Sequence, residues 1–390
     1  MAGKRFQDTG KGTFMGDYYY AAYLKRHREH FLVALEELFD WQRYSDELLT
    51  CYKGKGRIGR PPYNPVLIFK MLLISYLYNV SEREVERLAD DHLMVRWFLG
   101  IAIDRQPPDH STLTAFKRRY LGKAGWEKLI GIYKSMIKEA RAQGLEIGEI
   151  QVLDSVHTEA DVNNEKDRDR QDKGGPPRDP DARTVNKGRR SVVDPGRGKR
   201  TREVRYHGYK THASVNAETG LVTAIVSDYG NTADNKAFPA LRDQDRELGL
   251  PTTIYAGDKA YDDTDIYSRL EEEGLAIGIT LRDLRTQKKD KNKERWQELM
   301  QRESYQRGVH NRYRVEQPFG LAKAWHGFER CRYLGLARYR LQSLFTFLVC
   351  NSKRIVKLLT GITFRTLAKG RRAEQFTPVY QELPWVSAPI

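Results

Sequence analysis

The sequence predicts an α/β core built on a mixed sheet, preceded by an all-helical region. Three observations carry this prediction. Residues 63–145 set apolar side chains at helical spacing, broken at Asn79-Val80-Ser81 and at Pro107-Pro108-Asp109. After Gly148 the texture changes to short alternating runs separated by turns. Those runs read in the order three strands, helix, strand, helix, strand, which requires parallel as well as antiparallel neighbours.

Composition bounds the function. The 390 residues carry 67 Lys+Arg against 52 Asp+Glu, a net charge of +15. This length suits two or three domains, and the balance favours a polyanionic partner, with nucleic acid first. With 39% hydrophobic residues, the chain is too apolar to be wholly disordered. The longest apolar run, Val66 to Val80, is interrupted by Lys70 and is too short to span a bilayer, so no membrane partner is expected. Cys51, Cys331 and Cys350 are too scattered for a disulfide framework or a CxxC zinc site. No apolar signal core opens the chain, which points to a reducing compartment.

Taken in order, Leu32, Leu35, Leu38 and Phe39 mark an amphipathic helix. Cys51 to Pro62 is basic and rich in Gly and Pro, as a linker is. It contains GxGxxG at Gly54, Gly56 and Gly59. No strand precedes it, however, and Arg60-Pro61 stands where a P-loop needs Lys-Ser/Thr, so both nucleotide readings fail. Pro65 to Tyr78 is a strongly apolar helix, and Ser81 with Glu84 makes a capping box for the next. Ser111 or Thr112 caps a helix that ends in Lys117, Arg118 and Arg119. Another helix runs through Trp126, Leu129, Tyr133 and Ile137. A basic helix after a tight turn suits a helix-turn-helix whose second helix enters the major groove. Periodicity alone favours a plain bundle in which the three cations form a solvated face.

In the second half, Glu149 to Asp154 is a strand ending in an acid. Tyr206 to Asn216 and Leu221 to Ser227 form a hairpin, and Thr252 to Ala256 is a strand that leads into Asp258. Residues 161–205 hold almost nothing apolar. They are expected to be an insertion loop, disordered when free, whose basic half from Arg183 to Arg205 either orders on DNA or merely solubilises the chain. A charged segment from Arg282 to Arg307 precedes a helical C-terminal stretch. The predicted units are 1–60 (arm and helix), 61–145 (helical, DNA-binding), 146–333 (catalytic core with the insertion) and 334–390 (helix and tail).

Asp154, Asp258 and Glu316 stand out by placement. Acids at strand ends project into the crevice where open α/β sheets put their sites. An all-oxygen set suits Mg²⁺ or Mn²⁺ rather than zinc. Two such ions activate an attacking oxygen and stabilise a leaving one at a phosphodiester. Arg312, Glu316 and Lys323 sit at i, i+4 and i+11, one face of a helix if the helix is continuous, although Pro318 argues against a regular one. Trp325 either stacks on an unpaired base or packs in the core. A surface Arg–Glu pair is the plainer alternative for Arg312 and Glu316.

The chain resembles the DDE transposases of bacterial insertion sequences, in particular the insertion-sequence-five group. The N-terminal resemblance rests on GRPPYNP at 59–65, YLYNVSERE at 76–84, WFLG at 97–100 and PDHSTLTAF at 108–116. The catalytic one rests on VLDS at 152–155, HGYKTH at 207–212, AGDKAY at 256–261, RVEQPFG at 314–320 and RYLGL at 332–336. Arg312, Glu316 and Lys323 match the family's Tyr-Arg-Glu-Lys signature, whereas Val309 stands at its tyrosine and Ala260 at the glycine of Asp-Lys-Gly-Tyr. The resemblance implies an RNase H-like core with Asp154, Asp258 and Glu316 as catalytic triad and metal ligands, holding two Mg²⁺ ions. It implies a transposase that binds the terminal inverted repeats of its element, then cuts and rejoins DNA as a homodimer in the bacterial cytoplasm, at the nucleoid. Lys117, Arg118, Arg119, Arg312, Lys323 and Trp325 are the expected DNA contacts, and no nucleoside triphosphate is needed. A DNA-binding regulator that has lost cleavage, or a stand-alone metal-dependent nuclease, are the alternatives.

Overall fold

The structure, a computed structural model, describes residues 6–10, 14–52, 61–194, 198–286 and 292–364. The GxGxxG of the expected linker and the tail beyond 364 lie outside these residues. No helix among the described residues is long and apolar enough to cross a membrane.

The helical region comprises α1 (Phe14–Arg26), α2 (Phe31–Leu38), α3 (Trp41–Leu49), α4 (Pro65–Leu77), α5 (Glu82–Asp91), α6 (Leu93–Leu99), α7 (His110–Tyr120) and α8 (Lys123–Ala142). The expected capping box is present: the Ser81 hydroxyl accepts from Glu84 N, and the Glu84 carboxylate accepts from Ser81 N. Asn64 caps α4, and Pro65 sits in its first turn, where a missing N–H costs nothing. α4 is buried nearly all round, as a central helix must be. Its one charge, Lys70, is tolerated because the ammonium donates to the Glu36 carboxylate and to Phe98 O and lies over the rings of Trp41 and Phe98.

The sheet comprises β1 (Ile150–Glu159), β2 (Arg183–Asp194), β3 (Gly198–Asn216), β4 (Val222–Tyr229), β5 (Ile254–Gly257) and β6 (Ala276–Ile279). Its order is β2-β3-β1-β5-β6, with β4 also pairing β3. β1 is central, antiparallel to β3 (Gln151↔Asn216 to Glu159↔Gly208) and parallel to β5 (Ile150↔Ile254 to Leu153↔Gly257). The remaining helices are α9 (Asn164–Asp172), α10 (Phe238–Glu247), α11 (Thr264–Glu272), α12 (Lys293–Gln301), α13 (Glu303–Asn311), α14 (Glu316–His326) and α15 (Leu336–Thr360). This mixed sheet, covered by helices, is an RNase H-like core. α13 lies so close to β6 that a Cβ on Gly308 would meet the Gly278 backbone at 2.6 Å, so both positions must be glycine.

Two expectations are corrected here. Residues 161–205 are not a structureless loop: they form α9, β2 and the first part of β3. The β2–β3 ladder runs from Arg183↔Gly208 to Asp194↔Gly198, so backbone hydrogen bonds join the two strands along the hairpin. Buried acids anchor its base, Asp167 accepting from Arg178 N at 2.7 Å and Asp179 from Tyr209 Oη at 2.6 Å. The charged segment after Arg282 is likewise partly helical, because Trp296 and Leu299 of α12 bury against Tyr267 and its neighbours.

The change near residue 145 separates elements by type and not by core. One apolar cluster runs from Phe31 through α4 and α8 to β1 and α15. The Phe345 ring of α15 stacks on Tyr76 (centroids 5.5 Å apart) and packs on Phe69 (5.3 Å). Losing such a buried ring costs about 3–5 kcal/mol.

His326 stitches α14 into the same junction. It is 1% exposed, with Nδ1 2.8 Å from Tyr76 O and Nε2 3.5 Å from Lys353 Nζ. Burial, with Lys353 beside it, pulls its pKa down to about 3. The folded protein therefore keeps this ring neutral while the unfolded chain protonates it below about 6.5. Stability from this group is present above pH 6.5 and is lost as pH falls towards 3, at up to about 1.4 kcal/mol per pH unit. Denaturant unfolding between pH 6 and 4 is expected to give a shallower pH slope, by nearly one proton, in His326→Gln than in wild type.

Candidate active site

The site grows from the parallel pairing of β1 with β5. Leu153 stands opposite Gly257 at the last β1–β5 pair, so the next residues, Asp154 and Asp258, follow adjacent paired positions. β1 itself does not end at Asp154, as its sequence suggested, but runs on to Glu159 with Asp154 opposite Ala213 of β3. Asp154 Oδ1 accepts from Ser155 N at 2.7 Å, and Asp258 Oδ1 from Ala260 N at 2.9 Å, which fixes one oxygen of each. Burial, then the charges of Asp258 and Asp234, push the Asp154 pKa up to about 6, against Ser155 N and Arg312, which lower it.

Glu316 opens α14 and is exposed. It lines a cavity of about 350 Å³ together with Ser155, His157, Tyr206 and Lys323. Arg312 does not share its helix: residues Arg312–Val315 form a 3₁₀ turn, and α14 starts at Glu316. Pro318 consequently falls in the first turn, where it breaks no hydrogen bond, and the objection that it raises disappears. The predicted cations are split, Lys323 lining the cavity with Glu316 while the charge of Arg312 acts on Asp154. Trp325 is partly buried on α14.

The three cations of α7 are not one face. The Lys117 ammonium donates to the Glu82 carboxylate and lies 4.2 Å from the centre of the Tyr333 ring. The Arg119 guanidinium stacks on Tyr52 at 3.8 Å. Arg118 is exposed and lines a separate groove.

Two features escaped sequence reasoning. Asp234 is bound by Lys210 Nζ at 2.9 Å and lies 3.3 Å from His212 Nδ1. Burial raises its pKa, but the hydrogen bonds from His212 and Lys210 and the charge on Lys210 outweigh burial and drive it well down. Period-two spacing of Lys210 and His212 on β3 was the available signal, but nothing in the sequence joins them to an acid more than twenty residues away. Tyr261, fully buried beside the site, has its hydroxyl pKa raised by burial and then by Asp234, Asp154 and Asp258, which places all three carboxylates around it. Asp262 is 3% exposed and accepts from Tyr267 Oη (2.8 Å), Arg282 N (2.7 Å) and Arg285 Nε (2.6 Å), while the next residue, Asp263, is the N-cap of α11.

Crowded oxygen donors of one sign, one of them held protonatable near pH 6, fit a hard divalent cation. Among the described residues, the one trio of potential ligands whose donor atoms gather within 4.8 Å is Glu86, Asp109 and His110 in the helical region. Asp154, Asp258 and Glu316 are spread more widely. The Glu86 trio is accounted for by hydrogen bonds, the Glu86 carboxylate taking both the backbone N and the Nδ1 of His110.

Removing the Asp262 carboxylate leaves Arg285 and a buried Tyr267 hydroxyl without partners. Asp262→Ala is expected to lose about 3–5 kcal/mol of stability, measured by chemical denaturation.

Residues 21–119 match the family described as Transposase domain (DUF772), and residues 170–352 match the Transposase DDE domain. The second match takes in Asp258 and Glu316 and begins after Asp154. A solved structure, the piggyBac transposase synaptic complex with hairpin DNA, is similar at 10% identity and a TM-score of 0.39, over 85% of this chain and 76% of that one. With a transposase domain across the helical region and a DDE domain across the sheet, the chain belongs to the DDE transposases of insertion sequences, enzymes of metal-dependent DNA cleavage and strand transfer.

Proposed function

We propose that Asp154, Asp258 and Glu316 are the catalytic carboxylates of this transposase and hold its metal ions. The observation that carries the reading is the β1–β5 register, which puts Asp154, inside β1, and Asp258, just past the end of β5, immediately after the last paired residues of the two strands. The cavity beside Glu316 supplies room for a phosphodiester. Two ions, Mg²⁺ or Mn²⁺, supply activation of the attacking oxygen and neutralisation of the leaving one when bound.

The chain's own residues do the rest. Asp154 and Asp258 present one free oxygen each, since backbone N–H groups occupy the other. Glu316, at the start of α14, lines the cavity together with Ser155, the neighbour of Asp154. Arg312 and Lys323 bind non-bridging phosphate oxygens, for which guanidinium and ammonium groups are suited. Trp325 stacks on a base at the cut end. Water attacks the phosphodiester at the element end and frees a 3′-hydroxyl, which attacks target DNA in the same site. One phosphodiester is exchanged for another, so no nucleoside triphosphate is consumed.

The helical region, residues 61–145, recognises the terminal inverted repeats, and residues 146–333 carry the chemistry. Both ends must be cut together, which calls for a homodimer on DNA. The resemblance of the motif blocks supports membership of the insertion-sequence-five group and work at the bacterial nucleoid in the cytoplasm.

Asp258→Ala is expected to lower nicking of a terminal-repeat duplex in Mg²⁺ by several orders of magnitude, with binding of that duplex near wild type. Gel assay of both activities on one preparation checks this. Undiminished nicking would remove Asp258 from the site.

A further inference from the structure

A second depression, of about 730 Å³, lies where the helical region meets the segment joining α14 to α15. Its lining is strongly one-sided in charge: Arg83, Lys117, Arg118, Arg332 and Arg338 face a single carboxylate, Glu82. That carboxylate is already spent, accepting from Lys117 and, at 2.9 Å, from Tyr333 Oη. Two of the cations are built into the wall. Lys117 is neutralised by Glu82, and Arg332 donates to Ser75 Oγ (3.0 Å) and Asn79 Oδ1 (2.7 Å) while stacking on Tyr76 (4.3 Å).

The other three are different. Arg83 on α5, Arg118 on α7 and Arg338 in the first turn of α15 are exposed, and none makes an ion pair among the described residues. They come from three separate elements and share one groove. Like charges brought together without acids are costly unless an anion joins them. The groove is wide and its cations are spread over both parts of the chain, which suits a run of phosphates better than one small anion.

We propose that this groove clamps the sugar–phosphate backbone of duplex DNA, with Arg83, Arg118 and Arg338 each taking phosphate oxygens, so that one stretch of DNA is held by the helical region and the catalytic part at once. The proposal rests on the transposase reading and deepens it. It gives Arg118 a positioning role on the backbone instead of the base-reading role expected of a recognition helix. Lys117 supports the groove from behind and Arg119 lies outside it. Phosphate contacts fix register without carrying sequence information.

The test uses the full chain with Arg83→Gln, Arg118→Gln and Arg338→Gln combined. These side chains are exposed, and an unchanged melting temperature confirms folding. Affinity is measured against salt for two duplexes, the DNA end flanking the gene and an unrelated sequence. Loss of three phosphate contacts is expected to weaken both duplexes by a similar factor and to make the fall of log affinity with log salt shallower by about 0.9 per contact, about 2.7 in all. Unchanged affinity and slope would overturn the groove while leaving the transposase reading intact. Loss confined to the terminal duplex at an unchanged slope would overturn it in favour of base reading. Wild-type protein that binds neither duplex would overturn both. If only the single variant Arg118→Gln reproduces the whole effect, the shared clamp is wrong.

Discussion

The parallel pairing of β1 with β5 is the constraint on which the site depends. Because Leu153 and Gly257 are the last β1–β5 residues in register, Asp154 inside β1 and Asp258 just past β5 come next to each other where the two strands part. A carboxylate buried beside two others is unfavourable, and Asp154 registers this directly in a pKa raised to about 6. The surroundings partly compensate. Lys210 and His212 bind Asp234, and Arg312 acts on Asp154, so cationic partners reach the cluster from β3 and from the turn before α14. What remains uncompensated is a demand for positive charge at the place where phosphodiester chemistry needs divalent cations.

The same sheet ties the helical region to the catalytic centre. α15 packs on β4 with one side and receives Tyr76 and Phe69 of α4 with the other, while Asn351 bonds both Tyr133 of α8 and Val222 O of β4. A continuous core of this kind is stiff, since close-packed interiors transmit displacement and do not absorb it. If the proposed groove grips DNA through α5 and α7, this shared core would hold that DNA at a fixed position relative to Asp154 and Asp258.

Much of this was legible in the residues. The Ser81–Glu84 box and the burial of α4 follow from local patterns whose partners lie within a few positions, whereas Asp154, which reads as the end of its strand, sits inside β1, which runs on to Glu159. What was missed depends on distant partners. Lys117 reads as a surface cation until α5 brings Glu82 beside it, and nothing near Asp262 in the sequence announces that Arg282 and Arg285 fold back onto it. The 161–205 segment reads as a loop because a two-stranded ladder satisfied by its own backbone needs few apolar side chains. Pro318 was misjudged because helix starts are harder to locate than helices: a shift of the start from Arg312 to Glu316 turns a helix breaker into a first-turn residue.

The central claim, that Asp154, Asp258 and Glu316 jointly bind the catalytic cation, is tested most directly by letting the metal mark its own site. Fe²⁺ replaces Mg²⁺ in the full-length protein, and ascorbate with peroxide generates hydroxyl radicals that cut the chain next to the ion. The account predicts cuts near residues 154, 258 and 316, suppressed by excess Mg²⁺. Cuts confined to the neighbourhood of Glu86 and His110, or none that Mg²⁺ suppresses, would contradict it.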